Sequence, residues 1–331
     1  MKRLAWLLAA LFAAILIPLA LGGSELFQRL RSFPLQLLLA MLGMIVLCWC
    51  LNALRLRLLL GDSLNGISPL KSLGIVMSTE FAICATPAGS GGPLTLMALL
   101  ARNGVRPAKG SAVFATDQLS DLLFFLFALL GILLYALFHN LSQKLESMLG
   151  VSALLMLGGL CLGLGCARYH RQVITFNGYL LKRLNTQAIT RRRWARKLLH
   201  FRDALIDTLK MPRRKMLLVM LLTCSHWALR YSVMYLALRG LGADVQWAWT
   251  FLIQMVSLSA GQFSLLPGGA GAAELTSAAL LAPMVGKSTA AATILIWRVV
   301  TYYFYLLAGG PVFLLMLGRP LLNKLMRVRE A

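Results

Sequence analysis

A chain of 331 residues that is 59% hydrophobic, with a mean hydropathy of +0.75, excludes a soluble protein and reads as a polytopic helical membrane protein. Its net charge of +22 belongs first to cytoplasmic loops and anionic headgroups, and nothing interleaves aromatics with bases as a nucleic-acid surface would. Six cysteines, all in apolar segments, predict neither a disulfide framework nor a metal site, and the length allows a single membrane domain over 1–331 with no sizeable soluble one.

In chain order, Lys2 and Arg3 precede an apolar stretch from Leu4 to Leu21, whose length favours an uncleaved first helix over a signal peptide. A second span runs from Leu35 to about Leu54 and ends in Arg55, Arg57 and Lys71, charges that read as cytoplasmic. Ser72 to Cys84 and Leu94 to Leu100 are each too short to cross a bilayer and flank a break, so they predict a re-entrant hairpin opening to the cytoplasm. Spans from Ser111 to Phe138 and from Met148 to Cys166 follow, joined by a weakly charged loop around Asn140 to Ser147. The connection from Arg168 to Lys215 carries fourteen Lys and Arg against Asp203 and Asp207, which makes it cytoplasmic. Its apolar residues from Trp194 to Leu209 recur at helical spacing, as in an amphipathic helix on anionic lipid, and a solvated loop fits the same charges. After a span from Met216 to Leu238, Val245 to Leu265 and Ala272 to Leu281 form a second hairpin. A last span from Thr289 to Leu317 ends in a basic tail.

The two breaks are copies of one another. Sliding the sequence by 180 residues lays Thr86-Pro-Ala-Gly-Ser-Gly-Gly-Pro93 on Leu266 to Ala273 and matches Pro87 to Pro267, Gly89 to Gly269 and Gly91 to Gly271. Backbone groups freed by such a break cannot face lipid and must line protein or a water-filled cavity. Three crossings and one hairpin per half invert the second half relative to the first. The fold class expected is an all-α polytopic membrane protein with an inverted repeat, its halves at 1–138 and 148–317, and both termini cytoplasmic.

Ionisable residues within spans are costly and are functional candidates. They gather near the breaks: Glu80, Asp117 and Asp121 in the first half, Arg230, Glu274 and Arg298 in the second. Arg298, with Tyr302 four residues on and Tyr305 on the next turn, would present a cation and hydroxyls to a phosphate. Backbone N–H groups at Gly89, Gly91, Gly268, Gly269 and Gly271 would complete such a site, and Glu274 would pair with Arg298 or accept an amine. The opposing reading is a buried ion pair that fixes helix register. A protease reading pairs Ser90 with His226 as base, but Ala270 replaces the serine in the second copy. No nucleotide-binding or metalloprotease motif is present, so no cofactor and no enzymatic activity are expected.

These blocks resemble the membrane domain of lysylphosphatidylglycerol synthases, also called multiple peptide resistance factors, and their stand-alone flippase-like relatives. Leu265-Leu-Pro-Gly-Gly-Ala-Gly-Ala-Ala-Glu274, with Trp297-Arg298 and Thr301-Tyr302-Tyr303, is similar to the family's LPGG-x-G-x-x-E and its later aromatic-Arg-x-x-T-Y. Pro87-Ala-Gly-Ser-Gly-Gly92 and Asp117-Gln-Leu-Ser-Asp121 resemble its P-G-R-x-G-E and E-R-x-x-D, with Gly89 for the arginine, Gly92 for the glutamate and Asp117-Gln118 for the E-R pair. The resemblance implies transbilayer movement of a phospholipid or polyprenyl-linked lipid in a bacterial-type inner membrane, and no lysyl transfer, because the chain ends at Ala331 without the soluble domain. The expected partners are membrane lipids, with anionic headgroups at the 168–215 loop, and a lipid-synthesis enzyme. A carrier of a small soluble anion and a non-transporting scaffold are the rival expectations.

Overall fold

The computed structural model describes residues 2–64, 66–138, 210–264 and 266–318, with a few isolated positions between 150 and 206. The predicted span from Met148 to Cys166, most of the basic 168–215 connection with its amphipathic segment, and the C-terminal tail lie outside the described residues. Among the described residues the chain is all helical, and no strand forms.

The chain divides into two compact units. The first comprises Met1–Leu54, Gly66–Asn103 and Cys224–Ala331. It opens with α1, Lys2–Gly22, and the short α2, Glu25–Ser32. It then takes most of α3, Leu35–Leu60. Two helical hairpins occupy the predicted positions: α4, Pro69–Ala85, with α5, Gly91–Arg102, and, beyond α7, Arg213–Gly240, the pair α8, Trp247–Gln262, with α9, Ala272–Val285. Each hairpin packs its two arms together. At about 1.5 Å per residue these arms reach roughly 18–26 Å, short of the roughly 30 Å hydrocarbon core. The longest arm has 17 residues.

The predicted last span is interrupted. It begins as α10, Lys287–Arg298, widens to a π-helical turn over Val299–Tyr303, continues as α11, Phe304–Phe313, and widens again over Leu314–Gly318. Around these hairpins, α1 and α2 pack on α10, α9 packs on α10 and α1, and α11 packs along α4. The α4–α11 contact is close because glycines let backbones approach: a methyl group added at Gly309 would lie 2.9 Å from the Met77 carbonyl oxygen.

The second unit comprises Arg55–Asn65 and Gly104–Thr223. Its described part holds the end of α3, a one-turn helix at Gly61–Leu64, α6 over Pro107–Phe138, and the start of α7. By length and composition, four helices suffice to cross a bilayer among the described residues: Leu35–Leu64, Pro107–Ile132, Arg213–Gly240 and Lys287–Leu317. Helix α1 covers the predicted first crossing, and its apolar part with described side chains runs from Phe12 to Gly22. The protein is therefore a multi-pass helical membrane protein.

Candidate functional site at the two helix breaks

Pro87 lies two residues beyond the end of α4 and Pro267 five residues beyond the end of α8, and in both breaks glycine supplies a left-handed backbone. Gly89 has φ +66 and Gly269 has φ +68. Their hydrogen bonds correspond under the 180-residue shift: Gly89 N donates to Thr86 O and Gly269 N to Leu266 O, both at 3.2 Å, while Ser90 N donates to Pro87 O and Ala270 N to Pro267 O. Gly91 N donates to Thr86 Oγ1 at 2.8 Å, and at the matching position Gly271 N donates to Glu274 Oε2 at 2.7 Å. The two breaks touch, with Pro87 and Pro267 side by side in an isolated antiparallel bridge.

The hydrogen bonding corrects one expectation. The N–H groups of Gly89, Gly91, Gly269 and Gly271 are bonded within their own breaks, so they are not arrayed toward a phosphate. The physical reason is length: each break is a few residues of tight turn, and its amides close on its own carbonyls and caps before any can project outward. What the second break offers instead is carbonyl oxygen. Arg298 Nη1 donates to Gly268 O at 3.2 Å, and the Tyr302 hydroxyl to Pro267 O at 3.4 Å.

Glu274 and Arg298 meet directly. Arg298 Nε lies 2.6 Å from Glu274 Oε1, although the N–H direction misses the oxygen, so the contact is an ion pair more than a hydrogen bond. The side chains of Arg298 and Glu274 are 3% and 0% exposed, and the guanidinium Cζ lies 4.9 Å from the Trp297 ring centroid and 5.4 Å from that of Tyr302. Glu274 thus has two tasks, capping the start of α9 and holding Arg298. Arg298 Nη2 is buried without a hydrogen-bond partner.

Tyr305 does not join this group as expected. In an unbroken α-helix it would return to nearly the face of Arg298. The π-helical turn at Val299–Tyr303 accommodates about one extra residue and rotates the next helical turn by about 100°. Tyr305 therefore packs under a different arginine. The Cζ of Arg230 lies 5.0 Å from the Tyr305 centroid, and its Nη1 is 3.4 Å from Glu80 Oε2. Arg230 and Glu80 form a second, part-buried ion pair, on α7 and on the arm leading into the first break. His226, one turn earlier, is 2% exposed with its ring against Trp227.

Asp117 and Asp121 belong to neither pair. In the second unit, Arg55 places Nη2 2.6 Å from Asp117 Oδ1 and Nη1 2.6 Å from Asp121 Oδ1, and donates to Thr223 Oγ1 at 3.0 Å. Sequence reasoning placed Arg55 among cytoplasmic loop charges, yet it is 4% exposed. The signal was present: two carboxylates four residues apart on an apolar helix require a counter-cation, and an arginine at the end of another span can supply one. Glu80, a lone carboxylate in an apolar helix, likewise requires a counter-cation, and Arg230 supplies it. Among the described residues no group of His, Cys, Asp and Glu is arranged to hold a metal ion.

The comparisons with known proteins agree with this membrane architecture. The chain is 25% identical over 267 residues to a UPF0104 membrane protein of Archaeoglobus fulgidus, covering 79% of this chain and 81% of the relative. Residues 6–309 match the family described as the lysylphosphatidylglycerol synthase TM region, and over that span this chain belongs to the family.

Proposed function

We propose that this protein is an inner-membrane lipid flippase or scramblase that passes the headgroup of a phospholipid or polyprenyl-linked lipid between two inverted halves while the tails stay in the bilayer. The observation that carries the reading is Arg298, buried at the point where two helix breaks meet, with one face on Glu274 and Nη2 unpartnered. A buried cation with an unused donor suits an oxyanion that arrives from the bilayer and leaves again. Glu274 restores the pair when the headgroup departs, which keeps the empty site closed at low cost.

The inverted arrangement rests on the shared backbone of the breaks and on arms too short to span, read as hairpins that enter from opposite sides, with both termini cytoplasmic. Transport rather than catalysis fits the placement of Ser90, exposed in its turn, and His226, buried in α7. Lipids are the partners that this reading requires, and a lipid-synthesis enzyme is a further one.

The test is dithionite quenching of fluorescent phospholipids in proteoliposomes. Arg298→Ala is expected to slow movement about tenfold or more, from the loss of a charge-assisted hydrogen bond. Glu274→Gln, which removes the charge that recaptures Arg298, is expected to slow it as well. Wild-type protein that is folded and moves no lipid overturns the proposal in favour of a soluble-anion carrier, read as saturable uptake into vesicles, or a scaffold.

A further inference from the structure

Buried polar atoms without partners are uncommon in native structures, and each needs an explanation. In the first unit some belong to the Glu274–Arg298 pair, and two others, on Trp49 and Tyr305, lie on the side of the second ion pair. Trp49 on α3 is 2% exposed and Tyr305 on α11 is fully buried. Their rings meet edge-on at 5.2 Å between centroids, and neither Trp49 Nε1 nor the Tyr305 hydroxyl has a hydrogen-bond partner. Arg230 covers the Tyr305 ring while reaching Glu80.

An indole N–H and a guanidinium can only donate, so the orphaned atoms of Trp49 and Arg298 both require an acceptor. Two arginines, each held by its own glutamate on a different hairpin, therefore stand beside unused donors. The two groups are not remote from each other. Tyr302, against the second break, and Tyr305, under Arg230, lie three residues apart on one interrupted helix. One phosphate on Arg298 would leave the donors at Trp49 and Tyr305 unserved.

We propose that Trp49, Tyr305 and Arg230 form a second anion-binding station, and that the lipid this protein takes carries two phosphates in its headgroup, one for each arginine. The inference rests on the lipid-transport reading and deepens it by naming the substrate class. Two phosphates occur either bridged by a glycerol or joined as a diphosphate, and both present acceptor oxygens to the same donors.

The full chain in detergent micelles would be titrated by native mass spectrometry with three probes: tetraoleoyl cardiolipin, a long-chain polyprenyl diphosphate, and dioleoyl phosphatidylglycerol as the one-phosphate reference. Wild type is expected to bind one or both two-phosphate lipids about tenfold more tightly than the reference, the scale of a charge-assisted hydrogen bond. Whichever of the two binds more tightly identifies the source. Tyr305→Phe keeps the ring and removes only the donor, Trp49→Phe keeps an aromatic side chain without the N–H, and each is expected to cut that preference at least threefold.

Equal wild-type affinity for all three probes overturns the proposal without needing any variant. A preference that survives both substitutions overturns the assignment of these residues, and ordered water then satisfies them. Because binding is read without movement, a protein that prefers two phosphates but moves no lipid in vesicles overturns the transport reading alone. One that moves one-phosphate lipids with no preference overturns only the second station.

Discussion

Gly268 shows at the scale of one residue how the second break is held. Its φ of +64 is a left-handed conformation, and a methyl group built on it would run into the ring of Tyr302. Gly286, at the start of α10, has φ +80 with open space around it. The pair separates conformational strain from packing. Gly286→Ala is expected to cost about 1–3 kcal/mol from the backbone alone, because φ +80 with ψ 159 is a region that essentially only glycine occupies. Gly268→Ala adds overpacking of about 1–3 kcal/mol and displaces Tyr302 from the Pro267 carbonyl. Melting midpoints in one detergent check this: equal losses for the two variants would mean that Tyr302 yields freely and does not fix the turn. Ala88 is informative in the same way. It occupies φ 49 where the other break has Gly268, so the first break carries strain that the second avoids.

Among elements, an ion cluster fixes the end of α3, from Arg55 on, against α6 within the second unit. Arg55 is clamped by two carboxylates one turn apart, and a sliding of either helix would break both contacts together. Removing one partner of a buried charge cluster costs about 3–5 kcal/mol, because the remaining charges are stranded. Arg55→Ala is expected to lower the melting midpoint accordingly, and the triple change Arg55→Met, Asp117→Asn, Asp121→Asn to recover most of the loss. A single variant that melts like wild type would show that water screens the cluster. The π-helical turn acts at this scale too. It sends Tyr302 to the second break and Tyr305 to Arg230, so one interrupted helix serves both ion pairs.

For the whole molecule, the proposed inversion predicts opposite exposure of the hairpin mouths. In a cysteine-free background, Asn103→Cys after α5 is expected to react with a membrane-impermeant thiol reagent only from the cytoplasmic side. Lys287→Cys, after α9, is expected to react only from outside. Intact cells and inside-out vesicles distinguish the two, and labelling of both from one side would overturn the inverted arrangement.

Much of this architecture was legible in the sequence. The apolar lengths set the spans, and Pro and Gly set the breaks, because bilayer thickness and backbone sterics act locally. The 180-residue copy went further and anticipated matching turns. The interruption at Val299–Tyr303 was not legible, since nothing in that apolar run marks a widened turn. Glu274 with Arg298 was foreseen because both residues sit at one break and have few alternatives. Arg55 with Asp117 and Asp121, and Arg230 with Glu80, were not, because they join helices far apart in the chain. A charge at the end of a span looks the same in sequence whether it meets water or a buried carboxylate. Residue type and depth are enough to say which groups must be satisfied away from lipid, because desolvation costs depend on nothing else. Which partner satisfies each one is a matter of packing, because it depends on the rotation and register of helices brought together from distant parts of the chain.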